Sequence, residues 1–249
     1  MKQNKGLMRA STLAEVEEVV MNMKRGKAPR PDGFTVEFYQ AGWKFLGQDI
    51  LEVVEESRLK HRMWSGINST FLTLIPKTNN SEEAQGFRPI ALCNVIYKVI
   101  ATLVAKILKP LLPSIISPEQ TGFVEGRQIL DGLVVAQEMI NSLNKNKRKG
   151  MMIKLDLSKA YDRLSWRYLC LVLEVYGFEK RWIEWIFNMI STPIFSIMVN
   201  GNPTKTFNAS RGIRQGDPIS PFLFILAAEG LGRIIKRETR RNKIRGLKP

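Results

Sequence analysis

The stretch FRPIALCNVIYKVIATLVAKILKPLLPSII, residues 87–116, places the tightest limit on what this chain can become. It opens on Arg88-Pro89, a pair that reads as extended because proline disfavours helix in the residue before it. It then continues at helical periodicity as a long apolar helix to about Leu108, where Pro110 and Pro113 break it. No run of roughly 18 or more apolar residues occurs, so no membrane span is expected. The length of 249 residues and an apolar content of 44% allow a sizeable core in one large domain or two coupled subdomains.

Other segments fall into place around that helix. Thr12 and Glu15 have capping-box spacing, and Leu13, Val16, Val19, Val20 and Met23 follow at helical intervals, predicting a helix over about 12–25. GKAPRPDGF is a loop, and a second helix is expected over about 35–60. TFLTLI, residues 70–75, is rich in β-branched and aromatic residues and stops at Pro76, as a strand would. A helix over 130–143 precedes NKNKRKG, a charged turn, and a subdomain boundary is placed there, giving 1–150 and 151–249. Met151 to Leu157 has the nearly continuous apolar character of a short strand buried on both faces. Ser165 caps a helix to about Tyr176, and a further helix covers about 180–191. Asn200-Gly201 sits between two β-rich runs as a hairpin turn, and the final helix runs over about 220–241. Trp182, Trp185, Ile186 and Met189 read as core.

Thirty-eight Lys and Arg against 23 Asp and Glu leave a net charge of +15, which favours a polyanionic partner, nucleic acid first, although a merely soluble basic protein has the same balance. With Cys93, Cys170 and the single histidine His61, neither a zinc cluster nor a disulfide framework can be assembled. The N-terminus lacks the apolar core of a signal peptide, so an intracellular location is expected.

The block KLDLSKAYDRLSW, residues 154–166, carries the chemistry. Asp156 falls at the end of the predicted buried strand, where a carboxylate is costly unless paired or bound to metal. Mg²⁺ suits such a position, because it takes one or two carboxylates together with substrate phosphates. A turn-capping aspartate is the plainer alternative.

Six blocks occur in one order: GKAPRPDGF, LTLIPK, GFRPIALCNVIYKVI, EQTGFVEGRQILD, IKLDLSKAYDRLSW and GIRQGDPISPFLFIL. Together they resemble the reverse transcriptase domain of non-LTR (LINE-like) retrotransposons, especially the plant type, from about residue 10 onward. The resemblance implies an α+β fold, with right-hand polymerase fingers and a partial palm, helix-rich and holding a small antiparallel palm sheet. The first 150 residues would be fingers and N-terminal helices, and 151–249 the partial palm. The implied activity is RNA-directed DNA synthesis on a primer 3′-OH, with Mg²⁺ or Mn²⁺ as cofactor and an RNA template, a DNA primer and deoxynucleoside triphosphates as partners. Nuclear location follows from the resemblance alone.

By the same resemblance, Asp156 is the catalytic metal ligand, and Tyr161 excludes the ribose 2′-hydroxyl by bulk. Lys77 and Arg88 contact the triphosphate, as a point charge and a planar fork. Gln215 and Gly216 approach the nucleotide, the glycine because it permits close backbone approach. Gln120, Phe123 and Arg127 support the template, with Phe123 equally suited to a core role. Asp162 is expected to hold structural hydrogen bonds at a helix start. Arg233, Lys236, Arg237, Arg240 and Arg241 form a basic stripe that suits either phosphate tracking or a solvated face.

Two departures stand out. The family takes its remaining metal ligands from a later hairpin with paired aspartates, and no two adjacent aspartates occur in this sequence. Two-metal phosphoryl transfer needs more than one carboxylate, so the chain is expected to be truncated and inactive alone. Exposed strand edges and helix faces would then make it poorly soluble. Arg30 stands where the family has glycine, which indicates either a decayed copy or a turn at negative φ. A non-catalytic nucleic-acid-binding remnant and a group II intron maturase fragment are the competing readings.

Overall fold

The computed structural model describes residues 4–145 and 151–244. The boundary expected at 150 and most of the charged turn before it lie outside the described residues. The one-turn helix α1 (Asn4–Leu7) precedes α2 (Leu13–Met21), which begins with the expected capping box. Thr12 Oγ1 accepts from Glu15 N at 3.3 Å and the Glu15 carboxylate accepts from Thr12 N at 2.9 Å. The helix expected over 35–60 divides at Gly42 into α3 (Val36–Ala41) and α4 (Trp43–Lys60), where glycine is a poor helix former.

After α5 (Ser65–Asn68) comes β1 (Thr70–Pro76), as expected from its composition. The apolar stretch read as one helix after Arg88-Pro89 proves to be two elements, β2 (Phe87–Cys93) and α6 (Val95–Leu108). A short apolar run cannot be told from helix by periodicity, and Pro89 is tolerated because β2 lies at a sheet edge. α7 (Leu112–Ile115), α8 (Ile129–Lys145), α9 (Ala160–Arg163), α10 (Trp166–Val175) and α11 (Lys180–Ser191) follow. Then come β3 (Ile194–Val199), β4 (Asn202–Pro203), β5 (Phe207–Asn208) and α12 (Ser220–Arg240). Asn200 and Gly201 both adopt positive φ, 48° and 80°, which a type I′ hairpin turn requires.

The sheet is mixed rather than purely antiparallel. β1 runs antiparallel to β2, with Thr70 opposite Cys93, but parallel to β3, with Thr70 opposite Phe195. A parallel pair needs a long crossover, which the chain between residues 76 and 194 supplies, so strands from both sides of residue 150 share one sheet.

The apolar α6 is the centre of the core. Val95, Tyr97, Val99, Ile100, Ala101, Leu103, Val104 and Leu108 are all buried, against Val16, Val19 and Val20 of α2 among others. Trp182, Trp185, Ile186 and Met189 of α11 are buried as expected, with α10 and α12 alongside. Each such side chain contributes about 1.5–3 kcal/mol relative to exposure. Cys93 is buried, Cys170 partly so, and both are free thiols. No helix among the described residues is long and apolar enough to cross a membrane.

One expected element fails. Residues 151–157 form no strand, and all seven are exposed, Met151, Ile153, Leu155 and Leu157 included. Apolar sequence favours burial, but a strand also needs a neighbour for its N–H and C=O groups, and no described strand lies beside this one. α8 likewise buries none of its residues, leaving Leu130, Leu133 and Val134 in the open.

Candidate active site

The turn after Asp156 is built by a left-handed residue. Lys159 has φ 52° and ψ 44°, and its carbonyl accepts from Arg163 N at 3.1 Å to start α9. That single turn of helix is fastened by the loop before α12. Gly212 N donates to Leu164 O at 2.8 Å, Ile213 N to Tyr161 O at 2.9 Å, and Trp166 Nε1 to Gly212 O at 2.6 Å. Gly212 has φ 93°, and a Cβ there would lie 2.8 Å from the carbonyl oxygen of Asp162, so only glycine permits this approach. Tyr161 is half-buried with its ring 5.1 Å from that of Phe224, and burial raises its pKa.

The next four residues are held by a buried ion pair. Arg214 Nη2 lies 3.2 Å from Asp217 Oδ2, with the side chains 4% and 1% exposed. Arg214 also donates to Asn68 Oδ1 at 2.7 Å, Thr70 Oγ1 at 3.0 Å and Met189 O at 3.1 Å, and its Cζ sits 3.8 Å from the centre of the Tyr97 ring. Asp217 accepts from Tyr97 OH at 2.6 Å and from Ile219 N at 3.2 Å. Burial raises the pKa of Tyr97 well above that of a free phenol, which keeps the hydroxyl protonated as a donor.

Between the two charges, Gln215 and Gly216 are pressed against the outer edge of β2. Ala91 N donates to Gln215 O at 2.8 Å, and a Cβ on Gly216, φ 98°, would lie 3.3 Å from Ala91 O.

Gln215 lines more than one cavity, and two of these take in the other expected site residues. One, about 310 Å³, is lined by Lys77, Arg88, Lys159, Asp162 and Gln215 with apolar neighbours. The other, about 540 Å³, is lined by Tyr161, Gln215, Gly216, Asp217 and Pro218 among others. Three cations from β1's end, from β2 and from the turn before α9 thus surround one space with a single carboxylate, an arrangement able to hold a polyphosphate. Lys77 Nζ meanwhile donates to Gln85 O at 2.8 Å, while Arg88 and Lys159 have no side-chain partner among the described residues.

The structure therefore brings together Lys77, Arg88, Tyr161, Gln215 and Gly216. Asp156 lines neither cavity and is exposed. Gln120, Phe123 and Arg127 lie on a separate loop. Phe123 is 60% exposed at φ 59°, so it is not a core residue. Arg127 spends its guanidinium on the carbonyls of Ile116 at 3.0 Å and Gln120 at 2.8 Å, as well as on Ser117, and so organises that loop. The α12 stripe is largely paired: Lys236 with Glu119, Arg233 with Glu229, and Arg237 and Arg241 with Glu238. Lys159, Arg214, Asp217 and Tyr97 were not singled out from sequence. Lys159 lay in a block already marked as chemical, and Arg214 and Asp217 stand three apart in an otherwise apolar and glycine-rich context.

Residues 75–245 match the model of the reverse transcriptase (RNA-dependent DNA polymerase) family, and the chain belongs to that family. It is 30% identical over 218 residues to the transposon TX1 uncharacterized 149 kDa protein of Xenopus laevis, covering 88% of this chain and 17% of that protein. It is 26% identical over 233 residues to the retrovirus-related Pol polyprotein from type-2 retrotransposable element R2DM of Drosophila melanogaster, covering 92% and 21%. A Pol polyprotein from retrotransposable element R2 of Popillia japonica is 28% identical over 162 residues, covering 65% and 22%. The chain thus spans about a fifth of the length of these relatives.

Reverse transcriptase domains generally use divalent metal ions. Among the described residues no three His, Cys, Asp or Glu side chains group to hold one. Asp156 is exposed on an unpaired segment, and the carboxylate that lines the cavity of Lys77, Arg88 and Lys159 is that of Asp162.

Proposed function

We propose that this chain is the nucleotide-binding part of an RNA-directed DNA polymerase from a LINE-like retroelement, made of fingers and the first portion of a palm. The observation that carries the reading is that Gln215 lines both of these cavities. Lys77, Arg88 and Lys159 would hold the triphosphate of a deoxynucleotide in the first. Tyr161, fixed through its own carbonyl to Ile213, would close the second beneath the sugar and leave no room for a 2′-hydroxyl. Gln215 would contact the sugar or base edge, and Gly216 would let the backbone approach. Phe123 is exposed enough to stack on a template base, with Gln120 beside it and Arg127 holding the loop in shape. Asp156 is the carboxylate offered to Mg²⁺ or Mn²⁺.

Direct binding of a deoxynucleoside triphosphate tests this. Arg88→Met should weaken binding at least tenfold and Tyr161→Ala should admit the ribonucleotide, and equal affinity in Arg88→Met and wild type would sink the assignment. Purified chain with an RNA template and DNA primer is expected not to extend the primer, and reproducible Asp156-dependent incorporation would contradict that part. The second reading, nucleic-acid binding without catalysis, is favoured by the exposed Asp156. It requires RNA affinity that falls steeply with salt and is unchanged by Asp156→Ala.

A further inference from the structure

We propose that Asp162 makes the cavity of Lys77, Arg88 and Lys159 selective for a nucleoside triphosphate that carries a divalent ion over the free triphosphate. The inference rests on the triphosphate reading of that cavity and adds a specificity-determining residue to it.

Asp162 is set in place from both sides. Ile213 N donates to Tyr161 O at 2.9 Å and Gly212 N to Leu164 O at 2.8 Å, so the backbone around the aspartate is tied to the loop before α12. Its side chain does not supply the structural hydrogen bonds expected at a helix start. The cap position of α9 is Lys159, which makes no side-chain cap bond, and the Asp162 carboxylate makes no hydrogen bond or ion pair among the described residues. An exposed carboxylate on a fixed turn, holding nothing in the fold, is free to act on a ligand.

Its surroundings define that ligand. The cavity of about 310 Å³ is otherwise lined by the three cations and by the uncharged residues Leu74, Ala84, Phe87, Pro89 and Gln215, so three positive charges less one negative leave two. A free triphosphate carries about four negative charges near neutral pH, and a bound divalent ion cancels about two of them. The complex therefore matches the cavity, whereas the free form brings surplus negative charge beside Asp162, where like charges repel. Mg²⁺ is held by one or two carboxylates together with substrate phosphates, the donor set that Asp162 and a triphosphate in this cavity present. Asp156 lines none of the cavities that Gln215 lines, so the discrimination falls to Asp162. On its other side Asp162 shares a cavity of about 180 Å³ with Arg211 and Arg214. Arg214 is already paired with Asp217, and Arg211 makes no ion pair among the described residues, so neither is bonded to the carboxylate.

The test is equilibrium binding of a deoxynucleoside triphosphate to the whole chain, in EDTA and in magnesium chloride at matched ionic strength. Wild type should bind more tightly with magnesium. Asp162→Asn keeps the shape and removes the charge, and the ratio of the two affinities should shrink about threefold or more, a modest factor because the carboxylate is exposed and screened. Asp162→Ser should give the same smaller ratio, with the Tm of each variant checked alongside. Asp49→Asn, which alters an exposed carboxylate of α4 outside the cavity, should keep the wild-type ratio. Arg88→Met should lose affinity in both solutions. If Arg88→Met binds as wild type does, the triphosphate reading fails and this inference with it. If Arg88→Met is weak while Asp162→Asn keeps the wild-type ratio, or changes both affinities equally, only the role of Asp162 is overturned. Equal wild-type affinities in EDTA and in magnesium would overturn the selectivity without recourse to any variant.

Discussion

Arg214→Met should be among the most damaging substitutions in the protein, and the structure says roughly by how much. The arginine satisfies Asn68, Thr70, Met189 and Asp217 together and lies over the Tyr97 ring. Methionine keeps most of the volume and none of the donors. It leaves Asp217, 1% exposed, with Tyr97 OH and Ile219 N as its remaining partners. Breaking a buried pair from one side costs about 3–5 kcal/mol, against a total domain stability of about 5–15 kcal/mol. Urea unfolding followed by tryptophan fluorescence reads this directly, since Trp182 and Trp185 are buried. The midpoint should fall with the slope unchanged. The double variant Arg214→Met/Asp217→Leu should recover a good part of the loss, because no lone charge remains. A single-variant cost under about 1 kcal/mol, or a double variant whose cost is the sum of the singles, would refute the idea that this pair holds the loop.

Gly212→Ala should cost roughly 1–3 kcal/mol, because it strains φ 93° and drives a methyl onto the Asp162 carbonyl. It should also weaken nucleotide binding by freeing α9, so an unaffected Tm in a calorimetric scan would contradict the close approach. Gly230→Ala places a Cβ 2.2 Å from Tyr168 OH, whose hydrogen bond to Ala227 O would be lost. The cost should be smaller in a Tyr168→Phe background, and equal costs would show that the hydroxyl is not the obstacle. The ion pair with Arg9 and the Thr12 N–H hold the Glu15 carboxyl down to about 2 from its usual 4.5. A depressed folded-state pKa stabilises above the unfolded value and loses that contribution as pH falls from about 4.5 toward 2. The pair is substantially exposed, 46% and 31%, so screening keeps the effect below about 1 kcal/mol. The stability gap between wild type and Glu15→Gln should therefore close over that range, and a gap constant down to pH 2 would rule the pair out.

The elements most legible in the sequence were those whose cause is local. The Thr12–Glu15 box, the Ser165 cap, the Asn200-Gly201 turn and the helix at 180–191 each rest on residues within a turn or two of one another. Lys77, Arg88, Tyr161, Gln215 and Gly216 could be named as candidates for a related reason, since each sits inside a short block with its own pattern. The network that positions them was not. Arg214 reaches Asn68 across 146 residues of chain and Met189 across 25, and no spacing rule spans such gaps. The part of β2 after Arg88-Pro89 was read as helix because its short apolar run carries no period that separates the two, and its strand character is decided by pairing with β1.

Residues 151–157 give the converse case, and the behaviour of the isolated chain follows from it. Their sequence has the composition of a strand buried on both faces, but composition fixes only a preference for burial, and the pairing must be supplied by another backbone. With none beside it among the described residues, the segment presents Met151, Ile153, Leu155 and Leu157 to solvent, while α8 exposes Leu130, Leu133 and Val134. An exposed apolar segment with no paired strand beside it is a template for another chain. The isolated chain should therefore self-associate as its concentration rises. Ile153→Lys together with Leu155→Lys should shift sedimentation toward monomer without lowering the Tm, because neither residue is buried. A wild-type chain that stays monomeric and melts cooperatively at high concentration would mean that these faces are covered in solution, and the strand expected from sequence would then be the better description of 151–157.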